Sequence, residues 1–239
     1  MQRIDLDIPG AAYPIFVGHD ILGELGPRCR DLALGRQVAL VSDEIVAARY
    51  LQPAAASLRA AGFEVLEIVY AGGEEAKNLH GAEGIFAQMI AAEFDRGAWV
   101  VALGGGVVGD MAGFVSSTYL RGVPYVQVPT TIVAQVDSSI GGKTGVNHAL
   151  GKNLIGTFHQ PRLVLADTNA LHSLPKRERV AGMAEVVKHG LILDAALFAF
   201  YHVGYLESVA AVSSPLFAGK RRDIAVVHDR GAIRTVVST

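Results

Sequence analysis

The sequence predicts an α/β fold: a doubly wound parallel sheet followed by the start of a mainly α-helical domain. Three observations carry this. Short apolar runs at residues 38–41, 99–103 and 163–166 read as strands covered on both faces. Helical segments alternate with strands between about residues 35 and 110. The chain of 239 residues is 51% apolar and 18% charged, with a net charge of −2, which is ample for a buried core. That balance excludes a disordered chain and, by charge alone, a strongly basic nucleic-acid binder.

Taken in order, Ile4, Leu6 and Ile8 alternate with polar residues as in a half-buried strand. Residues 13–17 form a second strand, with a turn at Gly10. Strand 38–41 ends in Ser42, Asp43 and Glu44, a turn placed where ligands bind in such sheets. Residues 52–61 are Ala-rich and helical, with Gly62 as C-cap. Strand 63–70, helix 79–93 and strand 99–103 follow. Residues 123–128 make a short strand, 130–140 a polar segment, and 163–167 one more strand. From Ser173 the pattern turns helical, with Val180, Met183, Ala184 and Val187 at helical spacing and Pro175 early, where it is tolerated. The expected division is residues 1–172, residues 173–198, and a tail at 199–239. No linker separates the first two regions, so they should pack across a cleft.

The single cysteine, Cys29, rules out a disulfide framework or a cysteine zinc cage and reads as a small buried apolar residue. No apolar leader opens the chain, and no run approaches the ~18 apolar residues of a membrane span. A cytoplasmic protein that binds neither membrane nor nucleic acid is expected.

Residues 104–110, Gly-Gly-Gly-Val-Val-Gly-Asp, fit G-x-G-x-x-G between a strand and a helix. Glycines permit close backbone approach, and the free N–H groups of a helix start suit a pyrophosphate, so a dinucleotide is the first reading. The arrangement departs from the usual fingerprint. The loop follows a late strand, and the acidic candidate, Asp43, lies upstream at the end of an earlier one. A second cluster, Gly141-Gly142-Lys143-Thr144, is no P-loop, because Asp137 stands where the first glycine is needed.

Together these segments resemble the 3-dehydroquinate synthase family of sugar-phosphate cyclases. The matching runs are Gly73-Glu74-Glu75-Ala76-Lys77, residues 104–113, Tyr119-Leu120-Arg121-Gly122 and Val128-Pro129-Thr130-Thr131. The longest is QVDSSIGGKTGVN at 135–147, followed by residues 151–156 and 158–161 and by GMAEVVK at 182–188. The resemblance extends to about residue 198. It implies a Rossmann-like NAD-binding domain, then a metal- and substrate-binding helical domain, with NAD and one zinc or cobalt ion as cofactors. The implied enzyme is a carbon–oxygen lyase of the shikimate pathway (aromatic amino acid biosynthesis), converting 3-deoxy-arabino-heptulosonate 7-phosphate to 3-dehydroquinate and phosphate. Transient oxidation by NAD, β-elimination of phosphate, reduction and an intramolecular aldol step would achieve this.

By the same resemblance, Asp43 meets the adenosine side of NAD, and Glu74 and Lys77 hold a ribose. Gly105, Gly106, Val107, Val108, Gly109 and Asp110 line the pyrophosphate and nicotinamide, Thr130 and Thr131 contact the cofactor, and Lys152 and Lys143 lie near it. Arg121, Asp137, Lys143, Asn153 and Lys188 contact the substrate, with Asp137, Lys143 and Lys188 placed at the chemistry. The family's arginine reaches across a homodimer. Glu185 matches the carboxylate metal ligand; His189, one helical turn on, could face the same metal, although the family does not use that position. His148, His159 and His172 read as hydrogen-bonded structural residues. No GHTFGH-like segment supplies the family's two histidine ligands; after His189 only His202 and His228 remain. The expectation is a shortened product with a foreign tail from about residue 199, an incomplete metal site, doubtful turnover and a tendency to aggregate. An inosose- or valiolone-type cyclase, a glycerol-dehydrogenase-like oxidoreductase and a non-catalytic NAD-binding remnant stay open as alternatives.

Overall fold

In a computed structural model of the chain, residues 1–8 and 11–193 are described, together with the backbone of two further strands. The expected turn at Gly10, most of the tail, and the side chains of His202 and His228 lie outside the described residues. The first sheet has seven strands in the order β1-β2-β9-β6-β5-β3-β4. These are β1 (Gln2–Leu6), β2 (Tyr13–Gly18), β3 (Gln37–Asp43), β4 (Glu64–Tyr70), β5 (Trp99–Gly104), β6 (Tyr125–Pro129) and β9 (Val164–Asp167). All neighbours pair in parallel except β1 with β2.

Strand β3 shows why the sheet is covered on both faces. Ala39 and Val41 pack with Ile85, Met89, Met111 and Ala112, which belong to α3 (Leu79–Ala91) and α4 (Gly106–Thr118). Val38 and Leu40 pack with Leu25, Leu51 and Leu58 of α1 (Leu25–Arg30) and α2 (Glu44–Ala60). Successive side chains of a strand point to opposite faces, so an unbroken apolar run feeds two helical layers. The doubly wound architecture is therefore as the sequence predicts.

Three local readings are corrected. The helix expected at 52–61 begins at Glu44, because the Asp43 carboxylate accepts the Val46 N–H at 2.8 Å and caps it there. The first strand ends at Leu6 and does not reach Ile8. Residues 143–158, left unassigned from sequence, form an antiparallel hairpin of β7 (Lys143–His148) and β8 (Gly151–Phe158). It packs over α4: an added Cβ on Gly113 would stand 2.5 Å from the Thr144 methyl carbon, so only glycine permits this approach. The final helix, α5 (Lys176–Leu193), starts near the position expected and lies on residues 132–133, where a Cβ on Gly182 would stand 2.6 Å from Ile132. Strands β10 (Asp223–Asp229) and β11 (Ala232–Ser238) pair with each other, antiparallel, as a two-stranded sheet.

Candidate functional site

The order of strands answers the puzzle of the late glycine loop. Strand β4 lies to one side of β3, and β5, β6 and β9 lie to the other, so the winding direction reverses between β3 and β5. In open parallel sheets ligands bind outside the carboxyl ends at such a reversal. The two strands pair directly, Ser42 opposite Leu103, and the Ser42 hydroxyl donates to the Leu103 carbonyl at 2.8 Å. Asp43 and the glycines 104–106, 61 to 63 positions apart in the chain, thus emerge side by side. The loop after β4 carries Glu74 and Lys77, and the one after β6 carries Thr130 and Thr131.

Three glycines of the loop each make room for a neighbour. Gly109 lets α4 settle on β6, since an added Cβ would stand 2.8 Å from the Gln127 side-chain oxygen. Gly106 faces Ser138 and Gly105 faces Thr131, each leaving 3.0 Å where a Cβ would go. No side chain caps α4, whereas Asp43 caps α2 and Asn78 caps α3. The first N–H groups of α4 therefore point into the crevice without a partner from the helix. Beside them, the hydroxyls of Thr130 and Ser138 are buried and make no hydrogen bond in the structure. Positive helix-end potential, open N–H groups and two unused hydroxyls form a cradle for a phosphate ester. The Val108 side chain is buried in the core, so that residue offers only backbone here, while Val107 is half-buried.

Alongside the cradle lies a polar chain. Lys77 is nearly buried and donates to Asp110 and, at 2.6 Å, to the Asn153 side-chain oxygen. Burial is the largest influence on Asp110 and pushes its carboxyl up, while Lys77 opposes this. The Asn153 backbone N–H donates at 2.9 Å to the Asn147 side-chain oxygen. The Asn147 amide in turn donates at 2.9 Å to the Glu74 carboxylate, and Lys152 stands 3.6 Å from that carboxylate. The Asn147 hydrogen bond leads the influences that hold the Glu74 carboxyl below its ordinary range.

A second group joins α5 to the segment after β6. Lys188 pairs with Glu185, and the exposed Asp137 also faces Lys188; the Glu185 bond chiefly raises the Lys188 amine. Lys143, at the start of β7, is exposed. His189 is buried, with Nδ1 3.2 Å from the Glu185 carbonyl of its own helix. His159 stacks on Tyr125 and bonds the Val123 carbonyl at 2.9 Å, His148 accepts the Leu150 N–H, and His172 packs edge-on against His19. Among the described residues no group of three or more His, Cys, Asp or Glu could hold a metal.

One expected site residue stands apart. Arg121 follows the far end of α4, and that helix of 13 residues separates it from the cradle by about 20 Å. Leu120, Arg121 and Gly122 all have positive φ, at 49°, 73° and 118°, and both Leu120 and Arg121 are exposed. Two residues missed from sequence are Ser138 and Asn147. Both sit in the 135–147 run, but their bonding potential points inward only in the folded chain.

A family model for the N-terminal region of 3-dehydroquinate synthase matches residues 67–181. The chain is 46% identical over 226 residues to a 3-dehydroquinate synthase of Geotalea uraniireducens, covering 95% of this chain and 63% of that protein. It is 45% identical over 244 residues to one of Citrifermentans bemidjiense, covering 99% and 67%. Across the curated relatives it matches, the chain spans 54 to 67% of their length. Among solved structures, 2-epi-5-epi-valiolone synthase from Streptomyces hygroscopicus, with NAD+ and Zn2+ bound, superposes with a TM-score of 0.76 at 33% identity, covering 87% of this chain and 57% of that one. A 2-deoxy-scyllo-inosose synthase complexed with carbaglucose-6-phosphate, NAD+ and Co2+ gives 0.74 at 32%, covering 80% and 53%.

Proposed function

The chain belongs to the 3-dehydroquinate synthase family, and on that premise we propose that it forms the NAD-binding and part of the substrate-binding portion of a 3-dehydroquinate synthase. The overall reaction converts 3-deoxy-arabino-heptulosonate 7-phosphate to 3-dehydroquinate and phosphate. The observation that carries the reading is the uncapped α4 N-terminus at the sheet's reversal, flanked by the unused Thr130 and Ser138 hydroxyls.

Bound NAD supplies a hydride acceptor that later returns the hydride. In the proposal, the N–H groups of Gly106 and Val107 bind its pyrophosphate, helped by Thr130 and Thr131. Asp43 receives the adenosine ribose, while Glu74, Lys77 and Lys152 hold the other. Asp110 and Asn153 fix the Lys77 ammonium, so the cation points one way and water is kept from it. Asp137, Lys143 and Lys188 sit toward α5, where Lys143 and Lys188 offer point charges to a phosphate or carboxylate. Asn153 adds a neutral contact. Lys188 is paired with Glu185 on the same helix.

Zinc or cobalt at Glu185 stays a proposal drawn from the family. One ion-paired carboxylate does not make a metal site, and no step is assigned to a metal here. Arg121 is assigned to a second protomer's site, since its place beyond α4 keeps it from its own. The outer face of β8, with Leu154 64% and Phe158 89% exposed, is the surface for that homodimer. No described helix is long and apolar enough to cross a membrane.

Calorimetric titration with NAD+ and an assay of phosphate release test the reading. Binding of NAD+ is expected at the cradle, and phosphate release from 3-deoxy-arabino-heptulosonate 7-phosphate with added zinc or cobalt identifies the substrate. Failure to bind NAD+ overturns the reading. Turnover of a different sugar phosphate instead moves the chain to an inosose- or valiolone-forming cyclase, and NAD+ binding without turnover of any sugar phosphate marks a binding remnant.

A further inference from the structure

We infer that Asn147 is a positioning residue that sets the NAD affinity of this site by holding Glu74 and Asn153 in one arrangement; the inference rests on the NAD site proposed above. The hairpin register carries it. Val146 pairs with Ile155 and His148 with Gly151, so residues 152, 153 and 154 of β8 face Asn147 alone. A bulge of this kind leaves backbone groups without ladder partners. Asn147 repairs it: its side-chain oxygen accepts the Asn153 N–H at 2.9 Å, which holds Asn153 at a φ of 55°, a conformation asparagine tolerates. Its amide spans outward to the Glu74 carboxylate at 2.9 Å, and its backbone N–H donates at 2.8 Å to the Lys77 carbonyl. One side chain thus ties the loop after β4 to the hairpin, and orients a carboxylate on one side and the partner of Lys77 on the other.

The test is the dissociation constant for NAD+ of N147D between pH 8 and pH 5.5. Aspartate can still accept from Asn153, but when ionised it repels Glu74. Two facing carboxylates share a proton readily, and a protonated pair restores a donor. The expected result is NAD+ binding weakened by about tenfold at pH 8, narrowing to under about threefold at pH 5.5. In an E74Q background the same substitution should cost under about threefold at either pH, because the glutamine amide can donate to the new aspartate. If thermal melting shows N147D unfolded, N147S serves: too short to reach Glu74 or the Asn153 N–H, it should weaken NAD+ binding about tenfold, and by clearly less in an E74Q background, where the bond to a charged acceptor is no longer at stake. For N147D, a loss independent of pH, a loss undiminished in E74Q, or no loss overturns the role of Asn147 alone, as does an equal loss for N147S in both backgrounds. No NAD+ binding by the unaltered chain overturns the NAD site and this inference with it.

Discussion

Replacing Lys77 with methionine probes the most enclosed charge of the site. The Lys77 side chain is 5% exposed and that of Asp110 is 24% exposed. Methionine fills a similar volume but leaves the Asp110 carboxylate without its cation and the Asn153 oxygen without its donor. Breaking a buried ion pair by removing one partner costs about 3–5 kcal/mol. Because Asp110 keeps some contact with water, the lower figure applies, about 3 kcal/mol. For a chain of this size that is a fall of about 6–12 °C in melting temperature. The deficit carries a pH signature. Asp110 already has a raised pKa, chiefly from burial, and Lys77 is what lowers it. In K77M it moves further up, so Asp110 binds its proton more tightly folded than unfolded. Stability from such a group is present at low pH and is lost as pH rises through the folded pKa. The K77M deficit should therefore be largest near pH 8 and shrink toward pH 5, read by circular dichroism without NAD+. Adding D110N removes the stranded charge and should recover most of the loss. If K77M melts with the unaltered chain, or K77M/D110N is no more stable than K77M, the buried pair does not hold this corner together.

Other expectations are as direct. Gly106→Val should weaken NAD+ binding at least about tenfold with little change in melting, since its side chain meets Ser138 across the cradle while α4 stays intact. Asp43→Ala should cost about 1 kcal/mol through the lost cap of α2. Asp43→Ser, which still caps, should keep that stability yet lose NAD+ affinity by calorimetry, and equal affinity would leave Asp43 a cap alone. Leu154→Glu with Phe158→Glu should convert the expected homodimer to monomer in analytical ultracentrifugation, with an unchanged far-ultraviolet spectrum; a persisting dimer would move the interface elsewhere.

The parallel sheet was legible because its central strands are apolar without interruption, and the glycine loop because its chemistry is local. The start of α2 was not. An apolar stripe runs from Val46 through Tyr50 and Leu51 to Leu58, but Pro53 stands inside the helix and reads as a first-turn residue, whereas the helix begins where Asp43 caps it. The hairpin was hidden for another reason. Strand β8 turns Lys152, Leu154 and Phe158 outward and Asn153, Ile155 and Thr157 inward, so neither face is uniformly apolar or polar. The residues of the 73–77 and 104–110 runs were nameable one at a time, but not their couplings. Lys77 meets Asp110 and Asn153 across 33 and 76 positions of chain, distances no local pattern spans. The separation of Arg121 from its own cradle is likewise a matter of where α4 ends.

The alternation along β8 has a consequence for how this stretch can vary. In a strand, moving the register by one residue exchanges its two faces. Here that exchange would carry Asn153 outward and bring Leu154 against Lys77, setting an aliphatic chain on a buried ammonium. Point substitutions at 150, 154 or 158 alter only an outward surface. A single-residue insertion or deletion between 148 and 153 would instead strip the ligand crevice and rewrite the outer face in one event. Length, more than composition, is what this hairpin cannot change.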